Sequence, residues 1–315
     1  MEDRNDMTSA QPIRLAVLLA TYNGAAFIDS QLQSIADQDW PHIDVWASDD
    51  ASTDSTRARL RAWQRRWQKG EFRILEGRNA GFAENFRSLI THDGVDADYV
   101  AFSDQDDIWL PGKTRAAVGS IGRAAGPALH CERTIVADRH GAEIARSPLF
   151  RRPPHFRNAM VQNIAGGNTM AMNRFAFELL REAAGRTAFV SHDWFTYLLL
   201  TGAGGQVVYN AEPHVLYRQH GANLIGSNMG LAARLQRIGR TLNGSFVDWN
   251  ERNLGSLRAC RSLLTDEARA TMELFEAARS GPLHSRLARL RESGVYRQTY
   301  AGQLSLYAAC MLGKL

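Results

Sequence analysis

Three carboxylates fall within four residues at Asp104, Asp106 and Asp107, directly after the apolar run Tyr99–Ser103. At the end of a buried strand such a cluster is strongly destabilising unless a cation compensates it. Hard oxygen donors suit Mg2+ or Mn2+, which keep positions open for phosphate oxygens and water. The longer ligand series of an EF-hand calcium loop is absent. The loop Asp104-Gln105-Asp106-Asp107 is therefore expected to hold a divalent cation against a diphosphate.

Other polar clusters also follow apolar runs. Thr21-Tyr22-Asn23-Gly24 offers small polar groups and a glycine that let a ligand approach the backbone. In Asp49-Asp50, one carboxylate could cap the following helix. The other could accept from a uracil or thymine imide, or from ribose hydroxyls. In Gly77-Arg78-Asn79-Ala80-Gly81, Arg78 or Asn79 could meet a nucleotide, or the glycines could simply make a turn. Gly166-Gly167-Asn168-Thr169 could be a loop that admits a sugar, or an ordinary glycine turn.

The elements that must position these residues are legible as a rhythm. Apolar runs at 15–20, 43–47, 72–75 and 99–103 are separated by stretches with helical spacing. Ile28, Leu32 and Ile35 share one helical face, as do Leu60, Trp63 and Trp67. Arg61, Arg65, Arg66 and Lys69 are expected on an outer, solvated face. Ser52 and Thr53 sit where the N-cap of the second helix belongs, with Asp54 in its first turn. Alternating strands and helices imply a mostly parallel sheet, and such sheets bind ligands beyond the carboxyl ends of their strands.

Composition is ordinary for a soluble enzyme, with 44% hydrophobic and 22% charged residues. The net charge of +4 is unevenly placed. Residues 1–227 carry 24 Lys/Arg against 26 Asp/Glu, whereas 228–315 carry 13 against 7. A nucleic-acid surface explains that distribution poorly. Cys131, Cys260 and Cys310 are odd in number and widely spaced, which predicts reduced core thiols rather than disulfides or zinc ligands. Residues 1–12 read as a flexible lead-in without signal-peptide character. With no apolar run long enough to span a bilayer, the chain is expected in the cytoplasm.

As an ordered set, Thr21-Tyr22-Asn23, Asp49-Asp50, Asn79-x-Gly81 and the Asp-x-Asp at 104–106 resemble the family 2 glycosyltransferases of GT-A fold. The resemblance runs from about 13 to 225, and Asp-Gln-Asp-Asp-Ile-Trp-Leu-Pro is similar to the rhamnosyltransferase-like branch. It implies an α/β GT-A domain over 13–227, with a nucleotide-binding half at 13–112 and an acceptor half at 113–227. A basic helical region follows at 228–315. By the same resemblance Thr21, Tyr22 and Asn23 would line the nucleotide-sugar pocket together with Asn79. Asp50 would contact the base, Asp104 would sit near the ribose and Asp106 would ligate the metal. The role of Asp107 stays open between ligand and loop support.

Further along, Asp193 in Ser191-His192-Asp193-Trp194 matches the family's general base, and it could otherwise be a helix cap. Gly167, Asn168, His192 and the flat face of Trp194 would meet the acceptor or donor sugar. In Tyr217-Arg218-Gln219-His220, Arg218 would neutralise diphosphate charge and His220 would complete the metal shell or bond a phosphate.

The implied reaction is inverting, metal-dependent transfer from a dTDP- or UDP-linked sugar, with L-rhamnose the candidate, to a glycan or lipid-linked glycan in bacterial surface polysaccharide synthesis. A nucleotidyltransferase would normally carry a Gly-rich, Lys/Arg-bearing loop after the first strand, and an NAD enzyme a Gly-x-Gly-x-x-Gly. Neither is present. A non-catalytic glycan-binding module would leave the Asp cluster without a purpose. The C-terminal helices show Leu231, Leu235, Ile238 and Leu242 on one face. Leu283, Leu287 and Leu290 repeat the pattern beside Arg286, Arg289 and Arg291. Such helices could rest on the inner face of the cell membrane, pack on the enzyme's own domain, or join subunits of a homo-oligomer.

Overall fold

The computed structural model describes residues 12–220 and 245–315. All but the last residue of the lead-in expected at 1–12, the helical face 231–242 and the domain joint near 227 lie outside them.

The chain alternates strands and helices from the start. β1 (Leu15–Thr21), α1 (Ile28–Ala36), β2 (Ile43–Asp49), α2 (Thr56–Arg66), β3 (Phe72–Glu76), α3 (Phe82–Ile90) and β4 (Tyr99–Ser103) form the first half. Then come β5 (Ile108–Trp109), α4 (Lys113–Ile121), β6 (Ala128–Glu132), β7 (Ile135–Ala137) and β8 (Glu143–Arg146). The second half continues through α5 (Phe156–Ala159), β9 (Ala171–Asn173), α6 (Arg174–Arg186), α7 (His192–Gly202), β10 (Gln206–Asn210) and β11 (Val215–Arg218). Four helices close the described chain: α8 (Ser245–Ala259), α9 (Asp266–Ser280), α10 (Leu283–Glu292) and α11 (Tyr300–Met311).

Seven strands make one sheet in the order β10-β6-β9-β4-β1-β2-β3. β1 runs parallel to β2 and β4, and only β9 is antiparallel to its neighbours. The strand order reverses beside β1, because β2 and β3 follow on one side and β4 on the other. At such a switch point the helices diverge and leave a crevice beyond the strand ends. The registers Thr21↔Asp49 and Leu19↔Ser103 bring the polar clusters to one edge of the sheet.

β1 is apolar because both of its faces are covered. Leu15, Val17 and Leu19 pack with Ile28, Leu32, Ile35, Leu60 and Trp63 on one side. Ala16 and Leu18 pack with Phe86, Leu89, Phe177 and Leu199 on the other. The expected α1 face is therefore present, Leu60 and Trp63 share that of α2, and Arg61, Arg65 and Arg66 are exposed. Lys69, expected with them, is instead half-buried, with Nζ donating to Trp40 O at 3.1 Å. The α2 boundary differs. The helix starts at Thr56, whose amide and hydroxyl are both held by Asp54 Oδ1, so Ser52 and Thr53 precede the cap. It ends before Trp67, which is extended and donates from Nε1 to Ile43 O at 2.9 Å.

The second sheet, β5-β11-β7-β8, is small but consequential. β5 follows the acidic loop and pairs antiparallel with β11, which leads to Arg218 and His220. The C-terminal helices extend the main core. Leu254, Leu257, Phe275, Leu290 and Leu306 belong to the same apolar cluster as Phe177 and Leu199. Cys131, Cys260 and Cys310 are buried and unpaired by disulfide, as their spacing predicts.

Candidate active site

A cavity of about 500 Å³ opens beyond the carboxyl ends of β1 and β4. Thr21, Tyr22, Asp50, Asn79, Asp104, Asp106, Gly167, His192 and Asp193 all line it, although they span 172 positions of sequence, from 21 to 193. Phe82, Phe86 and Tyr217 add apolar wall.

The two adjacent aspartates divide their work. Asp49 is fully buried and accepts from Thr21 Oγ1 at 3.0 Å and from the Ser52 amide at 3.1 Å. Arg57 Nε lies 3.1 Å from it. Asp49 thus organises the turn, while Asp50 reaches the cavity. Asp50 accepts from the Ala80 and Gly81 amides at 3.2 and 2.8 Å, tying β2 to the loop that carries Asn79. Gly81 adopts φ 88°, a conformation that costs an L-residue but not glycine. Arg78 turns to a neighbouring cavity that also shares Asp50.

Several expected contacts are replaced by structural roles. Asn23 does not line the cavity. Its Oδ1 accepts from the Thr53 amide at 2.8 Å and its own amide donates to Ser52 Oγ at 2.8 Å, so it staples two strand ends. Asn168 is buried and donates to Asp107 Oδ2 at 2.5 Å. Asp107 is fully buried and also accepts from the Arg218 amide at 3.2 Å. Burial and the neighbouring Asp106 charge push its carboxyl up to about 7. Asp107 therefore supports the loop from beneath. Arg218 lies behind that loop, with Nη2 on Ser30 Oγ at 3.1 Å, and is not among the cavity-lining residues.

Trp194 is a core residue. It is 6% exposed, its Nε1 donates to Ala159 O at 2.7 Å, and it points away from the cavity. Helical periodicity explains the outcome, since neighbours on α7 face directions 100° apart and Asp193 takes the cavity side.

Asp193 sits in the first turn of α7, where the helix dipole favours a carboxylate. Asn163 Nδ2 donates to its Oδ2 at 2.8 Å, and the Trp194 amide to its Oδ1 at 2.7 Å. No motif in the sequence marks Asn163 as its partner. His192 stacks on Phe86 with ring centroids 3.6 Å apart, and burial lowers its imidazole to about 4, so it is neutral near pH 7. A Cβ at Gly167 would collide with His192 Nε2, which accounts for the glycine. Among the described residues, both His192 ring nitrogens and Asn85 Oδ1 lack partners, an arrangement frequent where a ligand completes the bonding.

Gln105 is a second residue that sequence reasoning passes over. It accepts from the Tyr22 amide at 2.8 Å and donates to the Tyr22 carbonyl at 2.9 Å. This amide clasp fastens the acidic loop to the end of β1. Gly24 leaves room for it, since a Cβ there would run into Gln105 Oε1.

His220 Nε2 lies 2.7 Å from Asp106 Oδ2, across a separation of 114 residues. Its ring stacks on Phe27 at 4.5 Å. Burial and the charges of Asp107, Asp106 and Asp193 hold Asp104 well above the usual carboxylate range. Crowded hard donors of this kind fit a divalent cation. Among the described residues no three His, Cys, Asp or Glu converge tightly enough to hold one alone.

Comparison with known proteins gives the family and the fold. The family model for glycosyl transferase family 2 matches residues 16–180, over half of the chain. The chain is similar to dTDP-rhamnosyl transferase RfbG of Shigella flexneri, with 28% identity over 253 residues, 71% of this chain and 79% of that protein. Its fold is similar to S. aureus TarS 1–349 in complex with UDP-GlcNAc, at a TM-score of 0.55 and 15% identity, covering 95% and 91% of the two chains. It is also similar to mannosyltransferase PcManGT of Pyrobaculum calidifontis in complex with GDP-Man and Mn2+, at 0.50 and 19%, covering 96% and 86%.

Proposed function

Because the chain belongs to glycosyl transferase family 2, with a GT-A fold and a rhamnosyltransferase-like relative, we propose that it transfers a sugar from a nucleoside diphosphate with inversion, using Asp193 as general base. The observation that carries this reading is that Asp193 and the acidic loop line one cavity. One carboxylate can thus face an acceptor hydroxyl while the acidic loop receives the diphosphate. Family membership leaves the nucleotidyltransferase and binding-module alternatives without support.

In the proposed sequence Asp50 accepts from the base and Thr21, Tyr22 and Asn79 border the nucleotide. Asp104 lies at the ribose end. Asp106 and His220 would hold Mg2+ or Mn2+, which supplies charge neutralisation for the leaving diphosphate. Asp193 then takes the acceptor proton as the hydroxyl oxygen attacks the anomeric carbon. The bond to the nucleoside diphosphate breaks on the opposite face, and no covalent intermediate forms. Asn163 and the Trp194 amide fix the carboxylate beforehand, which lowers the reorganisation the step needs.

The 28% identical relative supports L-rhamnose from a dTDP donor as the sugar to test first. The proposed acceptor is a glycan or lipid-linked glycan of bacterial surface polysaccharide synthesis. The test is transfer with a panel of nucleotide sugars in Mg2+ or Mn2+, before and after chelation. Asp106→Ala is expected to abolish turnover and EDTA to mimic it. Full turnover in EDTA after exhaustive dialysis would remove the metal from the mechanism.

A further inference from the structure

Among the described residues, α11 presents an outward face of apolar side chains. The helix contains no charged residue. Its inner side places Leu306, Ala309 and Cys310 in the core. Tyr300, Ala301, Leu304, Ala308 and Met311 are all exposed, and at 100° per residue they fall within an arc of about 100°. Tyr300 is 86% exposed, Leu304 58%, Met311 49% and the following Leu312 62%. Exposed apolar residues are normally scattered, and a stripe of this kind marks an interaction surface.

Cations border the stripe. α10 packs beside α11, with the Arg291 guanidinium 5.9 Å over the Tyr307 ring and Arg286 against Gly313. Residues 281–315 contain five Lys/Arg and one acidic residue, Glu292.

We propose that this face docks the enzyme on an anionic lipid bilayer, with the α11 stripe in the boundary between headgroups and acyl chains and Arg286 and Arg291 on lipid phosphates. The charge pattern favours lipid over a second copy of the chain. A parallel two-fold packing of α11 on itself would bring these arginines towards their own copies, whereas an anionic surface complements them in any orientation. Twelve residues rise about 18 Å, short of the roughly 30 Å hydrocarbon thickness, so the helix would lie on the bilayer. No helix among the described residues is long and apolar enough to cross one. The inference stands apart from the donor and base assignments, because none of its residues lines the active-site cavity.

The test is vesicle co-sedimentation of the full chain, with phosphatidylcholine alone or mixed with phosphatidylglycerol, at low and high salt. Binding is expected only to the anionic vesicles, and more strongly at low salt. Leu304→Glu/Met311→Glu should abolish it, and Arg286→Gln/Arg291→Gln should weaken it on the order of tenfold. Both variants should keep the melting temperature and nucleotide-sugar binding of the parent. Four outcomes would each overturn the proposal: no binding to anionic vesicles, equal binding to neutral ones, undiminished binding by the double-Glu variant, or a large fall in its melting temperature. Dissociation of a dimer by that variant, without vesicle binding in the parent, would assign the stripe to a second copy instead.

Discussion

Two residues at the α7 end of the cavity have separable duties. Asp193 lines the cavity as the proposed base, whereas Asn163 hydrogen-bonds Asp193 and the Ala165 amide. Asp193→Asn is expected to keep nucleotide-sugar affinity in calorimetry and to lose about 10²- to 10⁴-fold in kcat. Normal turnover would place the base elsewhere. Asn163→Ala leaves the carboxylate present but free to swing. Its kcat should fall by up to about 10²-fold with donor Kd unchanged, because misplacement costs orientation rather than binding. An equal loss in both would make Asn163 a binding residue. His192, held neutral by burial, should contribute no ionisation to the rate profile near neutral pH.

At the scale of elements, the acidic loop is held from beneath and from the side. Asn168→Ala removes a donor from buried Asp107 and should destabilise the fold by about 1–3 kcal/mol in urea unfolding. Gly24→Ala pushes against the Gln105 clasp. It should raise the donor KM more than it lowers the melting temperature, since the loop shifts while the sheet stays intact. Trp194→Phe loses the bond to Ala159 O and should cost about 1 kcal/mol of stability. If it instead raised the acceptor KM alone, Trp194 would be a sugar platform after all.

At the scale of the whole molecule, a buried ionic cluster joins the sheets behind the site. Lys113 Nζ lies 3.8 Å from Glu132 Oε1, and Glu132 also accepts from His214 Nδ1 at 2.9 Å. Despite the opposing cost of burial, Lys113 and the two histidines, His130 and His214, hold the Glu132 carboxyl down at about 2 against an ordinary 4.5. A depressed carboxyl stabilises above its unfolded pKa and loses that contribution as pH falls through the folded one. Stability should therefore drop between pH 4.5 and 2, by on the order of 3 kcal/mol. Glu132 hydrogen-bonds His214 and raises its pKa, so that contribution is full below about 6.5 and fades as pH rises past the folded value. Glu132→Gln should flatten the acid limb in thermal scans and, by stranding Lys113, weaken the fold at neutral pH by about 3–5 kcal/mol. Because α8 to α11 share the main core, truncation after residue 244 should unfold the protein rather than release an active domain.

The amino-acid sequence by itself determined the strand rhythm, the helical faces of α1 and α2, and the order of polar clusters at strand ends. These are local properties: an apolar run reports burial on both sides, and a glycine or carboxylate after it reports a strand end. Even there the α2 start shifted, because the Asp54 carboxylate captured Thr56. Which of two adjacent carboxylates faces the cavity was not local. Asp49 and Asp50 are alike in sequence and were separated only by the partners that packing supplied, a threonine and an arginine for one, two amides of another loop for the other. The same holds for Asn23, Asn168, Asp107, Trp194 and Arg218, whose structural roles come from residues up to 188 positions away. Only the tertiary structure brought His220 to Asp106, Asn163 to Asp193 and Gln105 to Tyr22, because pairing of β11 with β5 and closure of α7 over the sheet are contacts between distant segments.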